Sequence, residues 1–271
     1  MPQNQKYLIF AHYHSNGLLR KDIINFLEDS KKIFTKIIFI STKIHQKELK
    51  KIPKKIKIIK RKNTGYDFYS YKVGFDYLID NFQKKFENKY LFFANSSVLF
   101  IEPKKLLNSI KKVTIKNNEF WGISRSRELT DHIQSYFFFF SSTLFKNKNI
   151  FNWWKMIKPL NVHYKIILKY ELGLSKLMIR NDIKLKSIYV KNINLKTTNV
   201  LKKILQRFNE IFLKTPKYYK KDPTHYFWGD FYRLFGIVKI RLVKDNDEKY
   251  DLKELYKALK RKKILSDALN N

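Results

Sequence analysis

The chain has 271 residues, with 57 Lys+Arg against 23 Asp+Glu and a formal net charge of +34. A hydrophobic content of 44% and an aromatic content of 16% exclude a disordered chain, and the length suits one large domain or one domain with an appendage. The absence of cysteine excludes a disulfide scaffold, a thiolate zinc site and a cysteine nucleophile, and it fits a reducing compartment.

Taken in order, Tyr7–Ala11 reads as a buried strand and Leu18–Phe26 as a helix. Lys36–Ile40 and Ile56–Ile59 read as strands, Phe68–Phe82 as a helix, and Tyr90–Phe93 and Phe120–Ile123 as further strands. Strands interleaved with helical patterns predict an α/β fold with a mostly parallel sheet flanked by helices. Ligands on such sheets bind at the carboxyl ends of the strands. Val200–Phe212 reads as a basic amphipathic helix, suited either to an anionic membrane surface or to ordinary core packing. Asp222-Pro223 starts a helix through Trp228 and Phe231 that Gly236 ends, with His225 a candidate acceptor-side group, and Leu252–Leu265 reads as a closing helix. We expect residues 1–194 to form the nucleotide and acceptor domain and 195–271 a basic, mainly helical region packed on it.

The charge is lysine-rich and spread out: 48 lysines against nine arginines, with +24 in residues 1–194 and +10 in 195–271. A base-reading protein uses more arginine than this. The charge therefore favours anionic partners in general, such as a nucleotide or a phospholipid headgroup, with no specific nucleic acid expected. No apolar run is long enough to span a bilayer, and no signal-peptide pattern opens the chain, so a cytoplasmic, peripheral protein is expected.

No Gly-rich phosphate loop is present. His12 and His14 follow the first strand but have no carboxylate partner nearby, which suits pocket or surface histidines better than a metal pair. Arg61-Lys62-Asn63-Thr64-Gly65-Tyr66-Asp67 lies between a strand and a helix, where a nucleotide would bind. There Gly65 permits a tight turn, Asn63 and Asp67 suit a base or ribose, and Arg61 or Lys62 a diphosphate; Asp67 also suits an N-cap. Asn95-Ser96-Ser97 ends a buried strand with small polar groups that would line a cleft. Asp131, His132, Gln134, Ser135 and Tyr136 form a polar cluster suited to sugar hydroxyls, or to a capped turn. Glu171 is an isolated acid in apolar and basic surroundings, suited to a base or to a salt bridge with Lys169 or Lys176.

Asn63-Thr64-Gly65-Tyr66-Asp67, Asn95-Ser96-Ser97-Val98, Phe120-Trp121-Gly122-Ile123, His132–Phe137 and Asp222-Pro223-Thr224-His225 together resemble the rhamnan synthesis protein F family across residues 6–245. The resemblance implies a GT-A-like (Rossmann-related) fold and an inverting glycosyltransferase of lipopolysaccharide, capsule or wall-polysaccharide assembly. It places Asn63, Gly65 and Asp67, with Asn95 and Ser97, at a nucleotide-sugar donor, where the loop's Arg61 would meet the diphosphate. It makes Glu171 the general base; from the residues themselves, Asp131 is the second candidate base and His132, Gln134, Ser135 and Tyr136 would shape the acceptor pocket. It also implies Mg²⁺ or Mn²⁺ beside Asn95 and Ser97. Here Ser96 replaces the family's acid, and such ions prefer carboxylate oxygen, so only a modest effect of chelators is expected. The acceptor would be a glycan, lipid-linked at the inner face of the cell membrane. Two other classes stay open: a lysine-rich nucleic-acid-binding protein, and a catalytically inactive member serving as a glycan-assembly scaffold.

Overall fold

The computed structural model describes residues 5–82, 89–190 and 222–269. In chain order its first half contains β1 (Lys6–His12), α1 (Lys21–Ser30), β2 (Lys36–Ser41), α2 (Gln46–Leu49), β3 (Lys57–Lys60), α3 (Tyr66–Phe82), β4 (Tyr90–Asn95), β5 (Val98–Phe100) and α4 (Pro103–Lys111). There follow β6 (Glu119–Gly122), β7 (Arg125–Ser126), β8 (His132–Ile133), β9 (Phe137–Ser141), α5 (Lys148–Lys155), α6 (His163–Ile166), a π-helical turn (Ile167–Glu171), α7 (Leu172–Arg180) and β10 (Lys184–Ser187).

Seven strands form one sheet in the order β10-β6-β9-β4-β1-β2-β3. β1 runs parallel to β2 and β4, β2 to β3, and β6 to β10. The aromatic strand β9 is antiparallel to both neighbours, β4 and β6. Alternation along each strand divides the core into two layers. Tyr7, Ile9 and Ala11 of β1 face Phe68, Tyr71, Phe75 and Leu78 of α3, which recur at helical spacing, and Trp154 of α5. Leu8 and Phe10 face Ile23, Phe26 and Leu27 of α1 and Leu106, Leu107 and Ile110 of α4. With both faces covered, β1 and β4 read as continuous apolar runs. In β9, Phe138 stacks on Phe93 at 4.6 Å and Phe139 on Phe92 at 4.7 Å, on opposite faces. Gly74 lets α3 lie close on the sheet, since a Cβ there would stand 2.5 Å from Ile9 Cγ2.

The sheet is the expected mostly parallel, helix-flanked α/β arrangement, with its carboxyl-end crevice between β1 and β4. The last described part adds β11 (Ile237–Lys239), antiparallel to β5, and a third apolar cluster of Leu99, Ile101, Val238, Leu242, Leu255 and Leu259. The Lys21 amide donates to Asp267 Oδ2 at 3.0 Å, returning the last helix, Leu265–Leu269, to α1. The helix expected from Asp222 is two helices, Pro223–Tyr226 and Trp228–Phe235, because Phe227 leaves helical geometry at φ −109° and ψ 31°. Gly236, at φ 65°, caps the second as expected. The expected helix from Leu252 spans Lys253–Arg261. The amphipathic stretch Val200–Phe212 and the boundary between 194 and 195 lie outside the described residues.

Candidate functional site

A cleft of about 540 Å³ opens at the carboxyl ends of β1, β2, β3 and β4. Its walls are Ala11, His12 and Tyr13 after β1, Thr42 after β2, Asn63–Asp67 entering α3, and Asn95–Ser97 after β4, closed by Asn161, His163 and Ile240.

The β3–α3 loop is built around two devices. Gly65 has φ +71°, and a Cβ would fall 2.6 Å from Tyr69 Cβ and 2.7 Å from Pro159 Cα, so only glycine fits the turn. Tyr66 follows with φ 51°, an uncommon value for a non-glycine residue. Arg61 then clasps the loop: its guanidinium donates to the carbonyls of Lys62, Thr64 and Tyr66 and to Ser70 Oγ, at 2.7 Å from one terminal nitrogen. Burial lowers its pKa to about 10 despite the nearby Tyr69 and Asp67. Arg61 therefore faces the loop and Ser70 rather than the cleft.

Asp67 lies in the first turn of α3 and does two things: its Oδ1 accepts from the first-turn amide of Phe68 at 2.9 Å, and its Oδ2 points across the crevice. Asn95 Nδ2 donates to Asp67 Oδ2 at 2.7 Å, while Asn95 Oδ1 accepts from the Ser97 amide at 3.0 Å and the Ser97 hydroxyl at 2.6 Å. Burial, and next the charge of Glu171, raise the Asp67 pKa to about 6. Ser96 faces the other way: its Oγ accepts from the Tyr13 amide and donates to the Tyr13 carbonyl, both at 3.0 Å. Beneath it the fully buried Arg20 pairs with Asp22 at 2.9 Å and donates to the carbonyls of Ser96 (2.8 Å) and Val98 (2.7 Å). Arg20 thereby fixes the turn that carries Asn95 and Ser97.

Glu171 closes the π-helical turn, a rare geometry that recurs at functional sites. Its Oε1 accepts from the Ser135 amide at 3.0 Å and stands 3.8 Å from His132 Nε2. Tyr71 donates to the Ser135 carbonyl at 2.9 Å, so Ser135 is held from both sides. The other residues of this cluster turn inward. Gln134 donates to Asp222 Oδ1 at 3.0 Å and accepts from Ser124, Tyr136 meets Ser124 at 2.8 Å, and His132 Nδ1 meets the Thr130 carbonyl at 2.7 Å. Asp131 is gripped by both arms of the Arg125 guanidinium. The structure thus brings Asn63, Gly65, Asp67, Asn95 and Ser97 together on the cleft wall. It places Glu171 within electrostatic reach of Asp67, and Asp131, His132, Gln134, Ser135 and Tyr136 outside the lining.

Three residues in or beside the cleft escaped the sequence reading: Ile240 and His163, which line it, and Lys239, just outside the lining. Lys239, at the end of β11, holds its ammonium 4.5 Å from the Tyr136 ring centroid, and its charge acts on both Asp67 and Asp222. The next residue, Ile240, lines the cleft, and its amide donates to the Ser97 carbonyl at 3.0 Å. No local signal marks Lys239 among 48 lysines. His163, whose ring lies 5.3 Å from that of Tyr66, begins a short helix that periodicity alone does not single out. His12, expected from the sequence as a pocket or surface histidine, lines the cleft with Nδ1 2.9 Å from Ser41 Oγ; burial, aided by Arg20, drives its pKa to about 3, so it is a neutral ring there.

The polar groups suit sugar hydroxyls and phosphate oxygens better than a divalent ion. Asn95 Oδ1 is committed to Ser97, Ser96 to Tyr13, and Asp67 is the one acid on the described lining. Among the described residues no three His, Asp or Glu side chains are grouped to hold a metal.

Fold and site define an α/β protein with a polar crevice at the switch between β1 and β4. The profile of the Rhamnan synthesis protein F family matches residues 37–216, and the chain belongs to that family. It is 28% identical over 209 residues to Virulence protein VirA of Vibrio anguillarum, covering 73% of this chain and 65% of that protein's length. Among solved structures, a 4-diphosphocytidyl-2C-methyl-D-erythritol synthase superposes with a TM-score of 0.46 at 7% identity, over 76% of this chain and 98% of the other. The glycosyltransferase GlyE of Streptococcus pneumoniae gives 0.43 at 11% identity, over 99% and 63%.

Proposed function

We propose that the chain is a glycosyltransferase that takes a sugar from a nucleoside diphosphate donor and passes it, with inversion, to a surface-polysaccharide acceptor. The observation that carries this reading is the hydrogen-bonded row Asp67–Asn95–Ser97 on the switch-point crevice of a Rhamnan synthesis protein F family member. Asn63, Asp67, Asn95 and Ser97 hold the donor, and the glycine at 65 lets the loop backbone approach it. Lys239 balances the charge that develops on the leaving diphosphate, a task that needs a preorganised cation but not a metal. Glu171, oriented by the Ser135 amide, takes the proton from the acceptor hydroxyl as that oxygen attacks the sugar's anomeric carbon and the bond to the diphosphate breaks. The acceptor is a glycan, lipid-linked at the inner membrane face.

Glu171→Gln tests the base. Transfer should fall by roughly a hundredfold or more while nucleotide affinity stays near normal; unchanged turnover overturns the assignment. One observation favours a second reading, a catalytically silent member that scaffolds glycan assembly: His132, Gln134 and Tyr136 are buried and bonded internally, away from the cleft. Transfer and donor-hydrolysis assays with a panel of nucleotide sugars separate the two, since a scaffold binds without turnover.

A further inference from the structure

From His132 to Tyr170 the chain carries six lysines and no Asp or Glu, and the end of that stretch forms a rim of the cleft. Asn161 and His163 line the cleft, and Pro159 backs Gly65. Trp154, Ile157, Ile166 and Tyr170 turn into the core. Between them Met156 is 72% exposed, Val162 50%, Tyr164 58% and Leu168 43%. Tyr164 and Leu168 lie about one helical turn apart, as do Lys165 and Lys169, and all four are exposed. Lys155 pairs with Asp76 at 3.5 Å, whereas Lys158 and Lys165 form no ion pair among the described residues.

Single exposed hydrophobic residues need no explanation, but four within residues 156–168, interleaved with exposed cations and flanking the cleft-lining Asn161 and His163, do. Nucleic acid would use the lysines and leave the methionine, valine and leucine without a role. A second copy of the same strongly positive chain would bring like charges together. An anionic bilayer uses both sets: apolar side chains enter the headgroup boundary while lysine stems lie along it and their ammonium groups meet phosphates. We infer that residues 155–169 dock on an anionic phospholipid surface through Met156, Val162, Tyr164 and Leu168 with Lys158, Lys165 and Lys169, so that the cleft opens at the bilayer. The surface does not depend on what the cleft transfers.

The test is co-sedimentation of the full chain with vesicles of phosphatidylcholine, alone or with about 30% phosphatidylglycerol, at about 0.15 M salt. Binding is expected only with the anionic lipid. The exposed-site variant Met156→Ser/Val162→Ser/Tyr164→Ser/Leu168→Ser should bind about tenfold more weakly or worse. Lys158→Gln/Lys165→Gln/Lys169→Gln should do the same, while Lys111→Gln/Lys112→Gln/Lys116→Gln should cost less than about twofold. That control triple lies at the other end of the sheet, where Tyr90, the first residue of β4, donates to the Ile115 carbonyl. Absence of vesicle binding, an apolar variant that binds like the parent, or equal losses from the two lysine triples would overturn the proposal. So would an apolar variant that changes only the oligomeric state, which would make the rim a contact between copies.

Discussion

Asp67 concentrates the electrostatics of the cleft in one side chain. Its neighbours across the crevice are Glu171, Lys239 and the Asn95 amide. Since its pKa in the fold, about 6, lies above its ordinary value of 3.8, the folded state holds the proton more tightly than the unfolded one. That stabilising contribution is complete below about pH 4 and is lost as pH rises through about 6. Asp67→Asn stays uncharged and keeps an acceptor for Asn95, so its Tm should rise relative to the parent as pH increases over this window. A constant difference between the two melting curves would refute the coupling. Lys239 is the other decisive residue. Lys239→Met should lower kcat by roughly a hundredfold and weaken nucleoside diphosphate binding, whereas chelator should leave the parent's transfer nearly intact. Loss of activity on chelation with rescue by Mn²⁺ would give the diphosphate to a metal instead.

At the scale of elements, the turn between β4 and β5 is set by a buried ion pair rather than by its own sequence. Arg20 spends its donors on Asp22 and on the carbonyls of Ser96 and Val98, and Asp22 Oδ2 also accepts from the Phe100 amide at 2.9 Å. Removing one partner leaves a buried charge and two carbonyls without donors. Arg20→Met should therefore cost about 3–5 kcal/mol in denaturant unfolding. A loss below about 1 kcal/mol would show that the turn holds itself. The β3–α3 loop has the same logic with a different device, the guanidinium of Arg61 threaded among loop carbonyls. From the sequence, Arg61 looked suited to a diphosphate because a basic residue beside a nucleotide loop usually faces outward. Its position relative to Ser70, one α-helical turn into α3, decides otherwise.

At the scale of the whole molecule, a net charge of +34 on one folded chain is a self-repulsion that salt relieves. The Tm should rise by several degrees, about 3–6 °C, as salt increases from about 0.02 to 0.2 M; a flat or falling Tm would mean that local ion pairs outweigh the net charge. Within that spread of lysines the tertiary structure picks out a few with identifiable surroundings. Lys239 comes within electrostatic reach of Asp67 because β11 pairs with β5, and Lys158 and Lys165 stand in an exposed stretch that also carries exposed apolar side chains.

The sequence by itself determined the alternation of strands and helices, the glycine turn at Gly65, the polar strand end at Asn95–Ser97 and the cap at Gly236. Those features rest on side-chain periodicity, glycine's backbone freedom and interactions within a few residues, all of which are local. Only the tertiary structure decided that the aromatic strand β9 enters the sheet antiparallel, that Gln134 and Tyr136 close on Ser124 while Asp131 closes on Arg125, and that Lys239 faces Asp67. These depend on which remote segments pair and on which donors a buried acceptor finds, and several partners of equal chemistry compete for each until packing selects one.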